Sequence, residues 1–408
     1  MKIKKCRLCK NSKLSFLFSL GELSFTGKFA KDNKVNIPKK AVSLVMCNSC
    51  KLVQLNQNFN PKYLYGKDYG YRTGINSTMT NHVKHIVSEA QNLSKIKKGE
   101  FVLDIASNDG TMLNFYRKDL ITVGIDPILL KFKKFYKNIN FKICSFFSLN
   151  SLKKNKLLKK YKIISALSVF YDVKAPGKFL KDVKNILHKD GVFILEHADL
   201  LSIVKNNLFD TICHEHLEYY STKIIVDMMK KSNLKVFNLK INNINGGSIR
   251  YYISHLDSRY KVNSKKILQI IKEENKMKLE KVPTYTNFLK EINVQKIKLN
   301  NFLREKLKQK KIIHGYGAST KGNVLLQYFK INTNQIKFIA DRNPKKYNLY
   351  TPGTKIKIIS EKLSRKMKPD YYLVLPWHFS SEILKREQEI RKKGTRFIFP
   401  LPKLKISQ

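Results

Sequence analysis

From residue 101 the chain alternates short apolar runs with lysine-rich stretches of helical length. The runs are "FVLDIA", "ITVGID", "FKICSF", "YKIISALSV" and "GVFILEHA". Short apolar runs separated in this way predict βαβ units and a mostly parallel sheet. Ahead of them, Val83, Ile86, Val87 and Ala90 recur at helical spacing and predict one amphipathic helix. Residues 264–311 are charged and glycine-free, which predicts a helical connector interrupted at Pro283. A second α/β pattern follows in "KIIHGYG", "STKGNVLLQYF", "IKFIAD", "YYLVLPW" and "TRFIFPLP". The predicted class is α/β, in three parts: a cysteine-anchored unit over 1–65, an α/β domain over 66–263, and the connector with its second α/β domain over 264–408. No apolar run reaches the roughly 18 residues of a membrane span, so neither a span nor a cleaved signal is expected.

Composition changes this picture little. The 408 residues carry 80 Lys+Arg against 30 Asp+Glu, a formal charge of +50. Only 11 of the basic residues are Arg, the better phosphate fork, and the lysines are scattered along the whole chain. Biased composition explains that pattern better than a polyanion surface, so no dedicated nucleic-acid partner is expected. The general field still favours an anionic small substrate. Of six cysteines, four form the pairs Cys6–Cys9 and Cys47–Cys50. Two C-x2-C turns can close a tetrahedral four-thiolate zinc site, which implies a folding role and a reducing, cytoplasmic setting.

"FVLDIASNDGTMLNF" is a strand, a small-residue turn and a helix start, the ligand-binding edge of a doubly wound sheet. It has no G-x-G-x-x-G, so a dinucleotide is disfavoured. Asp104, Asn108, Asp109 and Gly110, with Asp126 at the next strand end to accept ribose hydroxyls, suit S-adenosylmethionine. Phe146 and Phe147 offer packing for an adenine. Taken singly, Asp109 also reads as a helix cap and the Phe pair as core. In "FDTICHEHLEYYS", His214 and His216 lie two apart, on one side if the segment is an extended strand. This is not the spacing of a helical zinc protease.

These segments together resemble the S-adenosylmethionine-dependent C-methyltransferases of nucleotide-linked deoxysugars. The resemblance rests on the four cysteines, "VLDIASNDGTML", "DTICHEHLEYYS", "HGYGASTKGNVLLQY", "DRNPKKYNLYTPGT" and "LPWHF". It implies a zinc-binding domain, a class I methyltransferase (Rossmann-like) domain and a second Rossmann-like domain, in a monomer or homodimer. It implies a keto-sugar substrate whose acidic C–H is removed by His216, with Glu215 supporting. His214 and Tyr219 would hold substrate or polarise its keto group. Tyr316, Ala318, Ser319 and Lys321 would anchor the nucleotide diphosphate. The family has Gly at Ala106, Tyr at Cys213, and an Asn and a His where this chain has Ser168 and Asp172. In "YGYRTGIN", the resemblance implies that Tyr69, Tyr71 and Arg72 would line the acceptor, with Tyr69 or Tyr71 in place of the missing hydroxyl. These departures leave O-methylation, or a different small substrate, as the alternative. "NINGGSIRYY" reads equally as an acceptor-cleft loop and as a plain β-turn.

Overall fold

The computed structural model describes residues 2–66 and 69–407. Strands β1 (Leu14–Ser24), β2 (Lys39–Cys47) and β3 (Val53–Leu55) form an antiparallel sheet around the cysteine pairs. The five predicted runs become β4 (Phe101–Ile105), β5 (Ile121–Ile125), β6 (Phe141–Ile143), β7 (Tyr161–Leu167) and β8 (Leu187–Ala198). They are parallel in the order β6-β5-β4-β7-β8. Their inner members are buried except for one terminal residue each, as strands covered on both faces must be.

The short strand β9 (Glu218–Tyr219) leaves this sheet and pairs with β3, Val53 facing Tyr219 and Gln54 facing Glu218. The sheet of the cysteine unit is therefore completed by the segment that follows the His-Glu-His triplet. β10 (Leu234–Asn242) and β11 (Ser248–His255) then add an antiparallel hairpin beside β8. The helix Ser77–Ser94 lies over β7 and β8 with Val83, Ile86, Val87 and Ala90 buried. Asn76 caps it, accepting from Met79 N at 3.1 Å.

The connector is two helices, Ser264–Lys276 and Val282–Lys308, with Pro283 in the first turn of the second. Proline is tolerated there because that turn needs no intrahelical N–H bond. The last sheet holds β12 (Ile313–Tyr316), β13 (Phe338–Asp341), β14 (Lys357–Ser360), β15 (Tyr371–Val374), β16 (Arg396–Phe399) and β17 (Lys405–Ile406). It runs β14-β13-β12-β15-β16-β17, parallel except for β17. Among the described residues no helix is long and apolar enough to cross a membrane.

Arg7, inside the first C-x2-C, ties the first sheet to β9. Its guanidinium donates to Leu55 O and Gln57 O at 2.7 Å, to Asn58 Oδ1, and to Leu217 O at 3.4 Å. It also faces the buried Glu218 carboxylate at 3.7 Å. Removing a buried ion-pair partner leaves its mate uncompensated, at roughly 3–5 kcal/mol. Arg7→Ala is therefore expected to lower stability by about 3 kcal/mol or more, measured as an earlier urea midpoint.

Candidate active site

The four cysteine sulfurs lie within 4.8 Å of one another and are the only such cluster among the described residues. Cys6 and Cys50 Sγ are 3.6 Å apart and Cys9 and Cys47 Sγ 3.4 Å, too long for disulfides. A tetrahedral ion with bonds of about 2.3 Å to sulfur sets sulfurs about 3.8 Å apart, so the thiols fit zinc. With four protein ligands the ion has no open position, and its part is to hold the loop that carries Arg7.

At the β4 end the chain enters a turn with Ala106 at φ 60°, Asn108 at 53° and Gly110 at 74°. Ala106 holds a left-handed conformation that costs a residue with a Cβ about 1 kcal/mol. The turn is braced by Ala106 N on Ile125 O at 2.9 Å. Asp104 accepts from Ser165 Oγ at 2.6 Å, and burial raises its carboxyl to about 7. Asp126 accepts from Asn108 N at 2.9 Å and Ile128 N at 2.8 Å, and burial raises it to about 6. Two backbone donors leave lone pairs on Asp126 for ribose hydroxyls.

Asp109 is differently engaged. It accepts from Gly74 N at 3.0 Å and Thr111 Oγ1 at 2.6 Å, and lies 3.5 Å from Arg72. Asn108 Oδ1 accepts from Thr73 N at 2.9 Å, and its amide donates to Tyr71 O. Segment 71–74 is thus clamped across the turn that follows β4. Arg72, expected beside the acceptor, instead lies between Asp109 and the Phe135 ring, 4.1 Å from the ring centroid. Tyr71 stays exposed. Phe146 is exposed at the β6 end, whereas Phe147 packs edge-on against Phe179 and belongs to the core. Ser168, at φ 54°, donates its N–H to Glu196 O at 2.8 Å.

From Leu208 to Thr222 every residue is buried except His216. The segment carrying His214 and His216 is not an extended strand. A turn closed by His216 N on Cys213 O at 3.3 Å sends the two imidazoles apart. His214 packs against both Phe25 and Phe59, with Nε2 3.1 Å from Lys40 O, and so anchors the segment to the first sheet. Glu215 accepts from Thr26 Oγ1 at 3.2 Å. Tyr219 is buried in β9, its hydroxyl without a partner among the described residues.

His216 Nδ1 is 2.7 Å from Thr211 O. A carbonyl only accepts, so Nδ1 carries the proton and Nε2 keeps its lone pair. Burial lowers this imidazole to about 4, against an opposing pull from Glu215. The ring rests on Tyr171, centroids 4.3 Å apart. Tyr171 O in turn accepts from Leu217 N at 2.7 Å. The result is a neutral imidazole, held at one nitrogen and offering the other: a proton acceptor at neutral pH.

The C-terminal unit reaches the same place. Lys321 Nζ donates to Asn245 O of the "NINGG" turn at 2.6 Å, and Trp377 Nε1 donates to the buried Asp210 at 2.8 Å. Gly246 (φ 91°) leaves room for that indole, since a Cβ there would stand 2.5 Å from Trp377. Asn323 donates to Thr26 O at 2.7 Å from the same helix, Thr320–Phe329. The other expected nucleotide contacts fare differently. Tyr316 is a core residue, only 2% exposed, packed on Tyr372 and Phe397 with its hydroxyl on Glu387. Its ring has no free face for a base. Ala318 N donates to Asp341 at 2.8 Å, and Ser319 caps the helix through Gly322 N at 3.0 Å. Asp210, Tyr171, Thr26, Asn245 and Trp377 received no role from the sequence, because only the fold makes them neighbours.

Comparison with known proteins covers nearly the whole chain. Residues 6–65 match a zinc binding domain family, 76–239 a methyltransferase domain, and 243–402 the C-methyltransferase C-terminal domain. The C-methyltransferase NovU of Streptomyces niveus is 25% identical over 411 residues, 99% of this chain and 97% of its own. Among solved structures, an S-adenosylmethionine-dependent methyltransferase from Clostridium acetobutylicum is 14% identical, over 43% of this chain and 92% of that one, at a TM-score of 0.35. The plantazolicin methyltransferase BpumL, in complex with SAH, is 13% identical over 42% and 82%, at 0.33.

Stripping zinc with a strong chelator is expected to lower the melting temperature and abolish methyl transfer together. Cys9→Ser should do the same, with zinc content read by atomic absorption. Three segments matched in order and a relative aligned over nearly its whole length identify the chain as an S-adenosylmethionine-dependent C-methyltransferase.

Proposed function

We propose that the protein methylates a carbon next to the keto group of a nucleotide-diphosphate-linked sugar, in the reducing cytoplasm that a four-thiol clip suits. The observation that carries this reading is His216, the one accessible residue of a buried segment, neutral and with Nε2 free. An O-methyltransferase has an acidic hydroxyl to work with. A carbon acceptor needs its C–H made acidic by a neighbouring carbonyl, and a base aimed at it. His216 Nε2 takes that proton, Thr211 O steadies the imidazolium through Nδ1, and Glu215 adds a nearby carboxylate. S-adenosylmethionine supplies an electrophilic methyl group to the carbon so exposed. Asp126 and the turn 106–110 hold its nucleoside, with Asp104 buried beneath them. Tyr69 and Tyr71 border the acceptor. Lys321, from the C-terminal unit, brings positive charge towards an anionic acceptor.

The test is incubation with methyl-labelled S-adenosylmethionine and a panel of nucleotide 4-keto-sugars, locating the new methyl by NMR. A methyl on carbon is expected, and a methyl on oxygen overturns the reading. His216→Asn should cut turnover at least 10³-fold, roughly the upper end of general-base contributions, while leaving cofactor binding intact by calorimetry. Because burial favours the neutral imidazole, the acid limb of the wild-type rate is expected near pH 4, well below the 6.5 of a free histidine.

A further inference from the structure

Asp172 carries a buried oxygen that the reaction above does not use. It ends the short turn Phe170–Asp172 that follows β7, next to Tyr171, on which the His216 ring rests. Its Oδ2 accepts from Tyr65 Oη at 2.6 Å. Its Oδ1 is buried and has no hydrogen-bond partner among the described residues. An orphaned buried oxygen costs about 1–3 kcal/mol, so its retention calls for a partner from outside the chain. The turn sits where three segments meet: Tyr65 and Tyr69 at the junction of the first two units, Tyr171 beside it, and Glu215 from the His-Glu-His segment. A second carboxylate, Glu215, is thus close enough to interact with it, and two buried carboxylates do not both ionise readily.

Resting on the keto-sugar reading, we infer that Asp172 donates a hydrogen bond from Oδ1 to the acceptor's keto oxygen as it becomes an enolate. Burial, reinforced by Glu215 and opposed by the Tyr65 hydroxyl, holds this carboxyl well above the usual carboxylate range. It is therefore a neutral acid with a proton to share. The electrons balance as follows. His216 Nε2 takes the α-proton, the C–H pair becomes the C=C bond, and the C=O π pair moves onto the oxygen that faces Asp172. The enolate carbon then bonds the methyl group while the C–S pair stays on sulfur, and the ketone re-forms. The proton on His216 goes to solvent, and Asp172 keeps its own. The donor belongs beside the base: the Asp172 turn is joined to the His216 segment by Leu217 N on Tyr171 O. Cys213, buried at the position where a tyrosine hydroxyl was expected, is too weak a donor for the task.

The experiment follows proton removal without methyl transfer. Full-length protein with S-adenosylhomocysteine is placed in D2O with thymidine-diphosphate 4-keto-6-deoxyglucose, and deuterium uptake beside the carbonyl is read by NMR. Asp172→Ala is expected to slow exchange about 10²–10³-fold, the cost of one oxyanion donor. Asp172→Asn, whose amide still donates, should stay within about tenfold of wild type, and so should Tyr65→Phe. Melting curves and zinc content establish that each variant is folded. Equal loss in D172N and D172A overturns the inference, because the ionised carboxylate would then be the working form. Equal loss in Y65F and D172A overturns it too, since Asp172 would then serve only to hold Tyr65. Undiminished exchange in D172A does the same. A wild-type protein that exchanges no proton overturns the keto-sugar reading, and this assignment with it.

Discussion

The pairing of β3 with β9 is the constraint on which the site depends. Two residues of β9 complete a sheet that belongs to the cysteine unit, and Leu217 O accepts from Leu55 N just before them. Arg7 crosses from the first C-x2-C to Leu217 O and Glu218. A guanidinium with five donors in a fixed fork can satisfy several carbonyls at once, which a lysine cannot. The metal, the arginine and the strand thus form one continuous support that ends one residue after His216. A zinc site with no open position acts on catalysis only through such a support.

That support explains the direction of the His-Glu-His segment. The turn at Cys213–His216 points His214 into the aromatic pair Phe25 and Phe59, and leaves His216 as the accessible side chain. Everything else in the segment is buried, so desolvation governs its chemistry. It favours the neutral form of His216 and of the neighbouring Asp172. A site built this way exchanges solvent stabilisation for preset hydrogen bonds. The Lys321 and Trp377 contacts close it from the C-terminal side, through Asn245 and Asp210.

The legible part of the site was what lies within one strand and the turn after it; the helix expected next is only the short 3-10 turn Leu113–Phe115. "FVLDIASNDG" announced a ligand turn, and the two C-x2-C pairs announced a clip whose sulfurs do meet. The illegible part came from partners far along the chain. Arg72 is the clearest case: it follows a tyrosine pair and looked like an acceptor residue, but Asp109 and Phe135 take it. Tyr316 is another. A tyrosine at a strand end reads as a stacking platform, yet Tyr372, Phe397 and Glu387 enclose it. Neither outcome is encoded in the spacing of nearby residues.

By itself, then, the sequence determined the α/β class, the strands, the connector helices and the thiol clip. Each of these follows from apolar periodicity or from pairs a few residues apart. Only the tertiary structure decided which of two histidines stays accessible, and that a lysine from the last domain and an aspartate after β7 lie near that segment. Those outcomes depend on side-chain direction at a turn and on bonds between residues tens to hundreds of positions apart. A one-dimensional pattern holds no record of either.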